Sequence, residues 1–149
     1  MPVLEWNEDF YLGIEHLDNE HRYLIELINS FYDACATRSP VEYLDIFLKE
    51  LIVYAAAHFN SEEKIMRELE YVKFAEHKER HAFFVKTVVE MKTEFEEERK
   101  DISVATLTFL IHWMRHHSQF EDAEFGRFAT GNRKTMVPRL DTNLQAATT

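Results

Sequence analysis

The sequence predicts an all-α protein, an antiparallel up-down four-helix bundle with an N-terminal extended arm. Three observations point there. Gly and Pro occur three times each in 149 residues, too rarely to punctuate a many-turned β fold. Hydrophobic residues make up 46% of the chain, which at this length supports one domain with a single core. Those residues recur at three- and four-residue intervals over four long stretches, the period of a buried helix face.

Residues 1–16 carry Trp6, Tyr11 and Gly13 without helical period and read as an extended arm packed on the domain. Asp18 is placed to cap a first helix over about 18–37, whose apolar side holds Leu24, Ile25, Leu27, Ile28, Phe31, Tyr32 and Cys35. Ser39-Pro40 is a cap followed by proline at the first helical position. It opens a second helix over about 40–67, with a stripe of Leu44, Phe47, Leu48, Leu51 and Ala55 that continues into His58 and Glu62. A third helix, about 71–98, has the cleanest register: Phe74, His77, His81, Phe84, Val88, Met91 and Phe95. Asp101 or Ser103 caps a fourth, running to about 128 with Leu107, Leu110, Met114 and His117 on one face. Gly131 is placed to end it. The folded domain is then 1–131, and the polar segment 132–149, which contains Pro138, is expected to be a flexible tail. Short links between long helices favour antiparallel neighbours.

Composition excludes several function classes. The formal charge is −10 and no Lys/Arg cluster stands against it, so nucleic acid and anionic membranes are poor partners. The longest apolar run, Leu51 to Ala57, has seven residues, far short of the roughly 18 a membrane span needs. There is no basic start and apolar block of a secretory signal. Cys35 has no second cysteine to pair with, which together with the missing signal makes the cytoplasm the expected location. Cys35 lies on an apolar face and reads as core.

The chemistry lies in the polar residues on the apolar stripes. His21 faces inward from the first helix. His58 and Glu62 are four apart on the second, one turn apart on one face, and His77 and His81 repeat that spacing on the third. His117 continues the inward stripe of the fourth helix, and Asp122 follows five residues later. Any one of these residues alone would read as a core histidine or a surface pair. Together they place five imidazoles and two carboxylates in one small core. Without a cation, that costs several kcal/mol of desolvation for each unpaired charge.

Ligand type and number indicate the metal. Seven donors are too many for one tetrahedral zinc and would crowd one octahedral ion. Calcium and magnesium would want oxygen almost exclusively. Imidazole suits iron, and two carboxylates can each bridge a pair of ions, so two irons are expected. In the segment His77-Lys78-Glu79-Arg80-His81 the glutamate sits in the middle rather than after the first histidine, which excludes the zinc-peptidase arrangement. No histidine has a glutamate three residues before it, so the Glu-x-x-His signature of ferritin-like di-iron oxidases is absent. A histidine-rich set suits reversible redox work.

The order D-x-x-H (Asp18, His21), H-F-x-x-E-E (His58, Phe59, Glu62, Glu63), H-x-x-x-H (His77, His81) and W-x-x-x-H-x-x-x-x-D (Trp113, His117, Asp122) closely resembles the hemerythrins, the bacterial ones in particular. The resemblance covers about residues 5–128 and includes the arm with Trp6, Tyr11 and Gly13-Ile14. It implies dioxygen binding at a non-haem di-iron centre bridged by an oxo or hydroxo group and two carboxylates. Carried over, His77, His81 and His117 hold one saturated iron. His21 and His58 hold the other, which keeps an open position, and Glu62 and Asp122 bridge the two. The oxygen pocket would be lined by Phe59, Trp113, Met114 and Ser118. Met114 and Ser118 depart from the Leu and Ile common in the family, and a hydroxyl at Ser118 would make the pocket wetter.

The implied function is an oxygen carrier, store or delivery protein, not an enzyme. The alternatives are an oxygen or redox sensor and a scavenger of peroxide or nitric oxide. His16, His112 and His116 lie off the inward stripes and need no role.

Overall fold

The computed structural model describes residues 3–37, 40–98 and 101–140. Three helices, α1 (Glu15–Thr37), α2 (Pro40–Glu68) and α3 (Phe74–Glu98), are followed by a fourth rod in three parts. These are α4 (Ser103–Trp113), a π-helical segment (Met114–Asp122) and α5 (Ala123–Leu140). No strand occurs among the described residues. Helix α2 packs on α1 and α3, and α4 packs on α1 and α2, which makes the four-helix bundle the pattern predicts. None of the described helices is long and apolar enough to cross a membrane.

The core is layered along the bundle. A large apolar cluster fills one end, with Leu24, Ile25 and Ile28 from α1, Leu51 and Ala55 from α2, Phe84 and Val88 from α3, and Leu110 and Trp113 from α4. A smaller cluster fills the other end, with Leu17, Met66, Tyr71, Phe125 and Ala129. Each helix passes from one cluster to the other, and on each the histidines fall between. His21 lies between Leu17 and Leu24, and His58 with Glu62 between Ala55 and Met66. The polar residues thus form one layer sealed by apolar layers on both sides.

Residues before α1 are tied down by amide hydrogen bonds. Val3 N and Leu4 N donate to Asn29 Oδ1 at 3.0 and 2.9 Å, and Asn29 Nδ2 returns a bond to Leu4 O. Asp18 does not cap α1 from outside, because the helix begins at Glu15. Its carboxylate instead accepts the backbone N–H groups of Leu12 and Gly13 at 2.8 and 3.2 Å. This bends the incoming chain over the first turn. Gly126 lets that chain lie against α5, since a Cβ there would stand 2.4 Å from Leu12 O.

Two further helix boundaries differ from the sequence reading. The third helix starts at Phe74 rather than 71, because Tyr71 is engaged in ending α2. Tyr71 N donates to Met66 O at 2.9 Å and Glu70 N to Arg67 O at 3.2 Å, the paired bonds of a Schellman stop. Glu70 occupies the left-handed position, with φ of 55°. At the other end the fourth rod continues through Gly131 to Leu140, so the first part of the expected tail is helical. Residues 141–149 of that tail, and the expected cap Ser39, lie outside the described residues.

Glu70 is exposed, so replacing it alters little but the backbone cost of its conformation. Glu70→Gly is expected to raise stability by about 1 kcal/mol, seen as a higher midpoint in urea. An unchanged or lower midpoint would show that this turn carries no strain.

Candidate metal centre

The polar layer brings together all seven residues singled out from the sequence. One donor atom from each of Glu62, His77, His81, His117 and Asp122 lies within 4.8 Å of the others, and His21, His58, Glu62 and Asp122 form a second such group. The two groups share Glu62 and Asp122, one carboxylate from α2 and one from the π-helical segment. His77 Nε2 lies 2.9 Å from Glu62 Oε1 and 2.8 Å from Asp122 Oδ1. His21 Nε2 lies 3.2 Å from Asp122 Oδ2, and His58 Nε2 3.5 Å from Glu62 Oε2. No member of the seven is more than 4% exposed.

The π-helical segment is what allows His117 and Asp122 to act together. An α-helix turns about 100° per residue, so side chains five apart would diverge by roughly 140°. A π turn closes i→i+5 hydrogen bonds and brings such residues onto one face. His117 Nε2 accordingly stands 3.1 Å from Asp122 Oδ1. The sequence reading treated this stretch as continuous α-helix. The five-residue spacing was the visible sign that it is not.

The residues fit a cation better than they fit one another. Glu62 Oε2, His81 Nε2, His117 Nε2 and Asp122 Oδ1 are buried and have no hydrogen-bond partner among the described residues. His81 Nε2 is nevertheless 3.0 Å from Glu62 Oε1. The distance is short enough for a bond and the direction is wrong. Lone pairs that converge on a common space without pairing are what a coordinated ion would satisfy.

On their outer sides, three imidazoles are held by glutamates. His58 Nδ1 donates to Glu20 Oε1 at 2.7 Å, His81 Nδ1 to Glu63 Oε2 at 2.7 Å, and His117 Nδ1 to Glu121 Oε1 at 2.5 Å. A carboxylate only accepts, so each fixes the proton on Nδ1 and leaves Nε2 facing the centre. Glu121 is braced in turn by Arg80, whose Nε donates to its other oxygen at 2.9 Å. His21 and His77 are not held this way, and His21 Nδ1 has no hydrogen-bond partner among the described residues.

Sequence reasoning did not identify Glu20 or Glu121, and it met Glu63 only as part of a motif. Glu121 had a visible signal, four residues after His117 on a helix. Glu20 had none, because it reaches His58 across a helix interface.

Aromatic rings close the layer on the side of the large cluster. Phe59 stacks on His81 with centroids 3.9 Å apart, and Trp113 on His117 at 4.3 Å. Met114 and Ser118 are both buried. The Ser118 hydroxyl turns to Met114 Sδ at 3.7 Å, a weak acceptor. His112 and His116 are exposed, with rings parallel at 5.8 Å.

In the metal-free protein the charges of this layer compensate one another. Burial lowers the proton affinity of His58, but the Glu20 and Glu62 carboxylates outweigh it and push its pKa up to about 10. His77 is likewise raised to about 10, burial being outweighed by Asp122 and Glu62. His117 is also raised, by Asp122 and Glu121 against burial. Glu62 and Asp122 face the opposite balance. Burial raises them, yet the surrounding imidazoles hold both well below the usual carboxylate range.

Comparison with known proteins agrees with this geometry. Residues 12–129 match the family model described as the hemerythrin HHE cation binding domain. A bacteriohemerythrin of Stenotrophomonas maltophilia is 31% identical over 125 residues, covering 84% of this chain and 80% of that one. One of Clostridium acetobutylicum is 32% identical over 124 residues, covering 80% and 96%. The crystal structure of a wild-type hemerythrin superposes with a TM-score of 0.77 at 25% identity, covering 84% of this chain and 96% of that one.

Imidazolium cannot bind a metal, so a cation must displace these protons. With His58 and His77 raised to about 10, both are charged near pH 7. Adding zinc(II) to metal-free protein at pH 7 is expected to release about two or more protons per chain, fewer as pH approaches 10. A pH-indicator dye in weak buffer measures this. Release that does not fall with rising pH would overturn the assignment. The sign for stability follows from the same shifts. The raised histidines stabilise the metal-free fold below their ordinary pKa and lose that effect as pH rises through about 10. The depressed carboxylates lose theirs as pH falls.

Proposed function

We propose, from the premise that this chain belongs to the hemerythrin family, that it binds dioxygen reversibly at a pair of irons and serves as an oxygen carrier, store or delivery protein. One observation carries this reading: two overlapping donor groups share Glu62 and Asp122 and are closed off from water. His77, His81 and His117 would hold one iron. His21 and His58 would hold the other, with Glu62 and Asp122 between the two. When bound, the iron pair with its oxo or hydroxo bridge supplies reversible one-electron chemistry at each metal and an open coordination position.

The chain's own residues account for the rest. The group holding His21 and His58 has four donors against five in the other, so an ion held there would be the one with room for a further ligand. Glu20, Glu63 and Glu121 keep the Nδ1 protons of His58, His81 and His117 in place, which fixes ring orientation and raises donor basicity. Phe59 and Trp113 lie flat on His81 and His117 and exclude water from that wall.

The test is an absorption spectrum of anaerobically reduced protein before and after oxygen is admitted, with iron counted on the same sample. Two irons per chain and a visible band that disappears when oxygen is removed are expected. Direct passage to an oxidised spectrum would favour the scavenger reading, and failure to retain iron would overturn the centre.

Ser118 offers a finer check. It is buried one residue beyond His117, and its hydroxyl donates to the Met114 thioether. Ser118→Ile removes that hydroxyl and makes the position apolar, so the oxygenated protein should oxidise more slowly, followed as decay of its visible band. An unchanged decay rate would take Ser118 out of the oxygen pocket.

A further inference from the structure

A cation reaches the seven enclosed donors only where some part of the wall opens. Three carboxylates close that wall at inward imidazoles, and they are unequally covered. The Glu63 side chain is 10% exposed, Glu20 27% and Glu121 35%. The cover is thinnest at Glu121. A groove of about 660 Å³ opens over this carboxylate, and His117 itself is part of its lining, with Glu79, Arg80, Trp113, His116 and Glu121. The cavity on the Glu20 side differs: its walls include Tyr54 and Lys49 but neither Glu20 nor His58.

We propose that this groove is the port through which divalent iron enters and leaves the centre, with the Arg80–Glu121 ion pair as its latch. The proposal rests on reading the buried donors as a metal centre. Arg80 binds one oxygen of Glu121 while the other holds His117, so the closed latch pins a ligand imidazole in place. Both partners reach solvent, Arg80 being 60% exposed, and an ion pair so placed is weak. Its opening frees Glu121 and, through it, His117. Glu79 and His116 stand exposed on the rim. They offer an oxygen and an imidazole, the donor types found inside and suited to ferrous iron. The chain's charge of −10 adds a general attraction for cations. An ion then passes from the rim to the Glu121 carboxylate and on to the His117 imidazole. At every stage it keeps donors of the same chemistry.

The latch and the rim predict opposite effects. Metal-free full-length chain is mixed with cobalt(II), whose visible absorption reports entry into a site of imidazole and carboxylate. Release is then followed with excess EDTA. Arg80→Gln should speed both uptake and release by about two- to five-fold, and Arg80→Lys should restore the slower rates. Glu79→Gln combined with His116→Gln should slow uptake several-fold, while both ions still bind. Unaltered rates in Arg80→Gln and in the rim variant, with two cobalt ions bound, would overturn the port and leave the metal centre standing. Failure of every form to take up cobalt would overturn the centre and the port with it.

Discussion

Removing charge from water is the constraint on which this structure depends. Five imidazoles and two carboxylates lie in one layer between two apolar clusters, none more than 4% exposed. Such a layer is tolerable only when its charges are matched, and the match is built at two distances. Inside, the donors converge on shared space. Outside, Glu20, Glu63 and Glu121 stand behind three of the imidazoles. The apolar clusters contribute rigidity, since close-packed side chains above and below leave the helices little freedom to slide.

The formal acidity of the chain looks different in this light. Five carboxylates serve this layer, and among the described residues Arg80 is the guanidinium bonded to one of them, Glu121. Counted with neutral imidazoles, as in the formal charge of the chain, these groups sum to −4, the charge that two divalent ions would neutralise. A substantial part of the formal −10 is therefore local to the centre and does not describe the outer surface.

The sequence disclosed which polar residues meet in this layer more fully than it disclosed the backbone that carries them. His58 with Glu62, and His77 with His81, were legible because a four-residue step on an apolar stripe has one structural meaning. His21 was legible from its distance to Leu24 and Ile28. Helix boundaries were less so, because they depend on contacts that are remote or local to the turn. Asp18 has the composition of a cap, yet it receives Leu12 and Gly13 from the incoming chain. Tyr71 has the look of a helix start, yet its amide terminates the preceding one. Glu20 could not have been assigned to His58, since nothing in the sequence states which faces of two helices meet.

The π-helical segment has a consequence for the whole fourth rod. Counting inward positions from Leu110 through Met114 and His117 at the α-helical period gives Glu121, Glu124 and Phe128. The residues that point inward are instead Asp122, Phe125 and Ala129, each one place later. The rod thus behaves as two helices of different phase joined end to end, with the slip of one residue absorbed at the centre. That slip lets a single imidazole use two consecutive acids: Glu121 behind it and Asp122 in front of it. It also makes the small cluster at the far end a reporter of the same phase, because Phe125 and Ala129 face it only while the slip is kept.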